Sequence, residues 1–504
     1  MEAMPPIDLA LLVGGVIALV AVVAARTGSR LGLPALLLFL FLGMALGSGP
    51  APINFDDADL AHGLGFAALV FILIEGGFST RWETIRPAVG AAGVLASLGI
   101  GVSIALVALF GHFVLGVPWA VAVLLGAITA PTDSAAVFAV LRGVPLPSRV
   151  RAMLEAESGL NDAPTVLLVA AASQLALGNA PHGGYWGLLG VVVFELLGGI
   201  LLGLALGAAG VWVLRRLALP SSGLYPLAAM AWAVVTYGGG VSVHVSGFAA
   251  VYVCAVVLGN GQLPHRHATR SFAEGVGWIA QIGLFVMLGL LADPGRISLR
   301  EVVVGVMIGL FLTLVARPLT VFASLSWFRV PLAEQVFVSW AGLRGAVPII
   351  LATVPLSERV PQADDLFDIV VVFVIVFTAL QGPTLPWVAR KLRLADPNTA
   401  SDVDIEAAPL DKINAELLQV RIPEGSRLAG VTVRELRLPR NAVVSLVIRG
   451  DRSFAPHGQS RLVVGDELLV VTPERHRREV ENRITGIGRG GRLALWTERD
   501  PQSH

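Results

Sequence analysis

The sequence reads as an all-α polytopic membrane protein with a small α+β domain appended after it. Hydrophobic residues make up 55% of the 504 and charged residues only 14%, and the mean hydropathy is +0.76. Apolar windows of about twenty residues, the length a helix needs to cross a bilayer, recur through residues 1–393. After Arg393 the charge density rises, and short β-type runs separated by turn signals replace the long windows.

Taken in order, the windows predict about thirteen spans. They lie near 7–25, 31–48, 60–79, 87–111, 118–141, 150–178, 186–214, 223–241, 244–259, 273–292, 300–327, 333–355 and 367–389. The first lacks a basic n-region and is followed at once by another span, so it is expected as a retained helix rather than a cleaved signal. Basic residues fall in alternate loops: Arg26 and Arg30, Arg81 and Arg86, Arg142, Arg149 and Arg151, Arg215 and Arg216, Arg266 and Arg270, Arg329, and finally Arg390, Lys391 and Arg393. The intervening loops carry acids such as Asp56, Asp57 and Asp59, or Glu358, Asp364, Asp365 and Asp368; the loop with Arg296 and Arg300 is the exception. By the positive-inside rule the N-terminus is expected outside and the C-terminal domain in the cytoplasm, which fits an odd number of spans.

Residues 394–411 are expected as a linker and 412–486 as the soluble domain, with a tail at 487–504. Its strands are expected at 417–422, 442–448 and 467–471, and its helices at 431–436 and 474–483. Net charge is zero, so nothing points to nucleic acid. The single cysteine, Cys254, excludes an intramolecular disulfide and offers no metal-site spacing.

The stretch 157–164, Glu-Ser-Gly-Leu-Asn-Asp-Ala-Pro, sets two carboxylates, Glu157 and Asp162, in a span. Each costs at least about 2.5–3.5 kcal/mol at a helix centre, so intramembrane acids are functional candidates unless paired. Ser158 and Asp162 are four apart and share a face. Pro164 lacks an N–H, which frees the Leu160 carbonyl. A carboxylate, a hydroxyl and an open carbonyl suit a small cation or a proton.

Two further spans are interrupted. Pro131 breaks the fifth, with Thr132 or Asp133 available to cap the half-helix that follows. Gly342, Gly345 and Pro348 interrupt the twelfth, which also carries Arg344. The two lie seven spans apart and so run in opposite senses, as in two inverted six-helix repeats with broken crossing helices at the binding site. Arg344 needs a buried anion; Glu157 is the first candidate and Asp133 the second. Glu75 lies toward the inner end of the third span and would flank an ion pathway. Arg317 would balance core charge or snorkel. Glu195, His244 and the loop His265-Arg266-His267 read as structural or solvated.

These residues resemble the cation:proton antiporter-1 family, specifically the sodium or potassium/proton antiporters of NhaP type. The matching pieces are Glu75-Gly76-Gly77, Thr132-Asp133, 157–162 and 342–348. The resemblance implies a thirteen-helix homodimer with a mobile six-helix core. It implies cation binding by Asp162 and Ser158, with Asp133, the Thr132 carbonyl, Asn161 and Glu75 around them, and a Glu157–Arg344 core pair. Asn161, where electrogenic relatives carry a second aspartate, implies electroneutral exchange. Ser134 departs from the family pattern, which has proline there. The domain at 412–486 resembles the C-terminal subdomain of potassium-transport regulatory proteins (TrkA-C) on Arg421–Ser426 and Gly465–Thr472, which tilts the cation toward K+ over Na+ and implies a small regulatory ligand. It has no Gly-x-Gly-x-x-Gly, and no cofactor is expected beyond transported K+ or Na+ and H+.

On this reading, cation and proton compete for Asp162 during alternating access, in a bacterial inner membrane and in contact with lipid. Three rivals are weaker. Gly159-Leu160-Asn161-Asp162 only superficially resembles an intramembrane aspartyl protease signature, since Asn161 replaces the middle glycine and no Tyr-Asp precedes it. A gated channel lacks a repeated carbonyl filter. A carrier of larger solutes lacks an aromatic-lined pocket.

Overall fold

The computed structural model describes residues 6–31, 34–48, 55–141, 144, 146–179, 184–394, 404–410, 415–423, 425–439, 441–450 and 452–491. Arg142, most of the expected linker and the tail from 492 lie outside them. The chain divides into two compact units at Leu394/Ala395.

The first unit is helical. Its opening helices are α1 (Pro6–Leu31), α2 (Ala35–Ser48), α3 (Ala58–Ser79), the single turn α4 (Trp82–Ile85), and α5 (Val89–Val94), which continues through a π-helical turn into α6 (Ile100–Phe113). The next are α7 (Trp119–Thr129), α8 (Ser134–Val140), α9 (Ser148–Ala176), α10 (Gly184–Arg216), α11 (Leu224–Ser242), α12 (Gly247–Asn260) and α13 (Arg266–Leu291). Finally α14 (Leu299–Phe311) passes through a second π turn into α15 (Arg317–Leu325), followed by α16 (Leu332–Trp340), α17 (Ala346–Ser357) and α18 (Ala363–Lys391).

Six described helices are long and apolar enough to cross a membrane, or seven if the bent pair α7 and α8 counts as one span. The expectation of about thirteen spans exceeds this for physical reasons. α2, α12 and α17 are short apolar helices. The apolar stretch Gly14–Ala24 of α1 is short too, and Glu155, Glu157, Asn161 and Asp162 lower the apolarity of α9.

Packing gathers these helices into two bundles. One holds α1–α3 and α10–α13; the other holds α5–α9 and α14–α18, and α3, α12 and α13 meet α9 and α17 between them. In the first bundle α2 and α13 approach backbone to backbone. A Cβ on Gly289 would lie 2.9 Å from the Gly43 Cα, and the converse holds for Gly43. Small residues at such crossings are how apolar helices gain van der Waals contact without a hydrophobic drive between them. Arg296, the exception to the loop-charge pattern, is forked onto Asp368 by two bonds of 3.1 Å and also reaches Asp364 at 3.4 Å. Its charge is therefore balanced locally.

The second unit is a five-stranded antiparallel sheet in the order β1-β2-β5-β3-β4. Its strands are β1 (Asp404–Leu410), β2 (Ala415–Arg421), β3 (Val443–Arg449), β4 (Arg452–Phe454) and β5 (Glu467–Pro473), and α19 (Arg477–Gly490) packs on β5. β1, inside the expected linker, pairs with β2 over its whole length. Its sequence, with a proline and two acids, lacked a strand pattern, and pairing on an edge supplied what propensity did not. The expected helix at 431–436 is a single 3-10 turn, Val433–Leu436, and α19 runs seven residues past the expected end at 483. Leu418, Val420, Leu468, Val470, Ile484 and Ile487 close one core between sheet and helix. Asp466 is fully buried, and Arg449 grips it through Nε and Nη2 at 2.7 and 2.8 Å. That bonding holds the Arg449 guanidinium above its ordinary pKa.

Gly289→Leu is expected to destabilise the helical unit by about 1–3 kcal/mol through overpacking. A lowered thermal midpoint in detergent, set against an unchanged one for the exposed Leu299→Ala, checks this.

Candidate functional site

α9 carries Arg151, Glu155, Ser158, Gly159 and Asp162 along one face, at the three- and four-residue spacing of a helical stripe. That face lines a cavity of about 710 Å³. Glu75 and Thr80 at the end of α3, Thr132 and Asp133 between α7 and α8, Tyr252 on α12, and Glu274 and Gln281 on α13 complete its polar wall.

The cavity exists because two interrupted helices cross. The chain bends by 50° between α7 and α8. Asp133 caps α8, its Oδ1 accepting from the Ala136 amide at 3.1 Å. The Asp133 amide donates to the Leu343 carbonyl in the second break at 2.8 Å. Backbone freed in one gap is thus satisfied by backbone freed in the other, as buried polar groups require. Gly345 is needed at this crossing, since a Cβ there would fall on the Asp133 carboxylate. Ser134 donates its amide to Ser158 Oγ at 3.2 Å. A proline at 134 has no N–H with which to make that bond.

Asp162 is 8% exposed, and its Oδ1 has no hydrogen-bond partner among the described residues. Pro164 does not break α9; the Thr165 hydroxyl turns back onto the Asn161 and Asp162 carbonyls at 2.8 Å each. Within the continuous helix Pro164 still has no N–H to give the Leu160 carbonyl.

Asp162, Ser158, Asp133, Thr132 and Glu75 all line this one cavity. Asn161 and Glu157 do not. Asn161 spends its amide on Thr132, at 2.9 Å to Oγ1 and 3.4 Å to the carbonyl, and Thr132 in turn donates to Glu157 Oε1 at 3.2 Å.

The expected Glu157–Arg344 pair is replaced by another. Arg317 on α15 forks onto Glu157, with Nη1–Oε1 at 2.6 Å and Nη2–Oε2 at 2.8 Å, and both residues are buried. Arg344 lies in the extended break. It donates to carbonyls left open by the helix ends, through Nε to Thr129 at 3.3 Å and through Nη1 to Gly342. Arg317 meets the carboxylate end-on and in plane, each Nη donating to one oxygen, the geometry that two parallel N–H···O bonds require.

Sequence reasoning missed Tyr252, Glu155, Glu274 and Gln281. Glu155 is detectable, because it lies seven residues before Asp162 on the same face. Glu274 reads as a membrane boundary because α13 begins before the apolar window does. Tyr252 gives no local signal. Among the described residues no group of three or more His, Cys, Asp or Glu converges as a metal cluster. The chemistry available on the cavity wall is that of carboxylates and hydroxyls: hard oxygen donors suited to an alkali cation, on groups that also take a proton.

Removing the guanidinium of Arg317 strands a buried carboxylate. Arg317→Met is expected to cost about 3–5 kcal/mol, and Arg317→Met/Glu157→Leu to recover much of it. Arg344→Met, which breaks only bonds to carbonyls, is expected to cost less than the single Arg317 change. Thermal unfolding of the four proteins in one detergent ranks them.

Residues 15–391 match the family described as sodium/hydrogen exchanger, transmembrane, and residues 417–485 match the TrkA-C domain. The K(+)/H(+) antiporter NhaP of Alkalimonas amylolytica is 35% identical over 476 residues, 93% of this chain and 82% of that protein. The K(+)/H(+) antiporter NhaP2 of Shewanella baltica is 32% identical over 480 residues, 94% of this chain and 82% of its own length. The Na(+)/H(+) antiporter NhaS2 of Synechocystis sp. is 28% identical over 343 residues, 66% of this chain and 62% of that protein. The solved structure of the sodium proton antiporter MjNhaP1 from Methanocaldococcus jannaschii superposes with a TM-score of 0.65 at 22% identity, over 77% of this chain and 100% of that one. These relatives are transporters, not enzymes.

Proposed function

Because the chain belongs to the sodium/hydrogen exchanger family, with a TrkA-C domain after the exchanger region, we propose that it exchanges a monovalent cation for protons across a membrane. Potassium is the favoured cation and sodium the second. The names of the 35% and 32% identical relatives support potassium. The more distant 28% relative supports sodium.

The observation that carries this reading is Asp162: a buried carboxylate with an unpartnered oxygen, on a cavity wall beside Ser158 and Asp133. Asp162 holds either a cation, as the carboxylate, or a proton, as the acid. Ser158 Oγ, Asp133 and the Thr132 carbonyl supply further oxygen, and Glu75 acts at the edge. An empty, ionised Asp162 is penalised by burial, so only loaded states cross, and the two fluxes couple through that difference in stability. Asn161 has no proton to exchange, and its amide is engaged by Thr132. That supports electroneutral, one-for-one exchange.

The same reading takes residues 1–393 as the exchanger. Its thirteen spans form two inverted repeats, whose corresponding breaks are α7/α8 and α16/α17. It assembles as a homodimer in a bacterial inner membrane, with the N-terminus outside. The cytoplasmic domain at 412–486 responds to a small ligand.

In proteoliposomes holding a pH gradient, potassium, added alongside parallel sodium and lithium runs, is expected to dissipate the gradient, and Asp162→Asn to abolish the flux without altering the thermal midpoint. Normal exchange by Asp162→Asn sinks the mechanism. Electroneutrality is checked in the same vesicles: an imposed membrane potential is expected to leave the rate unchanged.

A further inference from the structure

Tyr252 is the unassigned oxygen of the cavity. It projects from α12, in the first bundle, onto α9, in the second, and is 8% exposed. Its phenol occupies a notch that exists only because residue 159 is glycine: a Cβ there would fall on the hydroxyl and on the ring carbon that bears it. Gly159 is four residues after Glu155 and three before Asp162, so the notch lies between these two carboxylates. Thr80, at the end of α3, lines the cavity beside them. Thr80 is itself buried and spends its proton on the Gly76 carbonyl at 2.8 Å, which leaves its oxygen to face its neighbours. Glu155, Thr80, Tyr252 and Asp162 all line the same cavity.

An alkali cation moving from water to a buried carboxylate must exchange hydration oxygens for protein oxygens without a gap between them. Here Glu155, the Thr80 and Tyr252 hydroxyls, and Asp162 follow one another along a single face of α9. The first and last belong to one bundle and the two hydroxyls to the other. We propose that Tyr252 is a cation-coordinating, specificity-setting residue whose hydroxyl, seated over Gly159, passes a partly dehydrated monovalent cation between Glu155 and Asp162. This rests on the exchange reading above. It adds to it that the wall opposite α9 contributes an oxygen to the cation's path, and that the glycine of the 157–162 motif is there to admit it.

Tyr252→Phe removes the oxygen and keeps the ring. Gly159→Ala keeps the oxygen and pushes it out of the notch. Potassium- and sodium-driven exchange is measured in proteoliposomes for wild type, Asp162→Asn and both variants. Each variant is expected to raise the apparent KM for the cation by about tenfold, the loss of one bond to a charged group. The maximal rate is expected to stay near wild type and the K+/Na+ ratio of KM values to change. The double variant is expected to fall well short of the sum of the two. A purely structural role lowers the maximal rate and leaves the ratio unmoved. Wild-type KM and selectivity in Tyr252→Phe overturn this proposal while leaving the exchange reading intact. If wild type and Asp162→Asn are equally inactive, both fall. If Tyr252→Phe does not fold, Gly159→Ala decides by the same KM and ratio.

Discussion

Two stretches of unwound chain, 130–133 and 341–345, cross inside the helical unit, and the Asp133 amide donates to the Leu343 carbonyl where they meet. Away from water an unpaired backbone group costs several kcal/mol by transfer estimates, roughly 4–8 in the least forgiving solvent. A single interruption of a buried helix is therefore expensive, and two that satisfy each other cost far less. Much of the nearby sequence follows from that constraint. Asp133 caps the half-helix α8, Arg344 takes up the Thr129 and Gly342 carbonyls, Gly345 makes room for Asp133, and Thr378 donates to the Arg344 carbonyl at 2.8 Å.

Around this crossing the buried charges divide into two sets. Glu157 is fully committed: Arg317 covers both its oxygens, and Thr132 adds a third bond. Asp162, five residues on and on the cavity side, keeps an oxygen without a partner among the described residues. Like residues thus have opposite fates, fixed by which face of α9 they occupy and what stands opposite. A paired carboxylate is bound to its guanidinium in a geometry that costs several kcal/mol to break. An unpaired one in a cavity can exchange partners.

The second unit shows the same logic with water nearby. Its sheet alternates buried and half-buried side chains, and the wholly buried Asp466 is held by a guanidinium fork and the Val463 amide. Gly465, at φ +86°, turns the chain so that Asp466 points inward. The conformation is one a side chain rarely adopts, which accounts for the Gly-Asp pair that opens β5.

Apolar windows, punctuation and the polar residues within them were enough to locate most helices of the first unit, both interruptions and the residues of the 157–162 motif. Those features act locally: twenty apolar residues, a proline without an N–H, or an acid at helical spacing mean the same thing wherever the chain folds. The pairing of Glu157 with Arg317 rather than Arg344 was not legible, because the arginines are 160 and 187 residues away in sequence (317 − 157 and 344 − 157) and only the packing of α15 says which guanidinium reaches the carboxylate. Tyr252 and Glu274 were equally hidden. Their place on the cavity wall depends on two bundles meeting along α9, which no local pattern encodes. β1 became a strand only because an edge of the sheet was open beside it. The sequence by itself determined where charge and breaks must sit, since burial makes them costly. The tertiary structure alone decided which of those charges were neutralised and which was left free, because that depends on what stands across the gap.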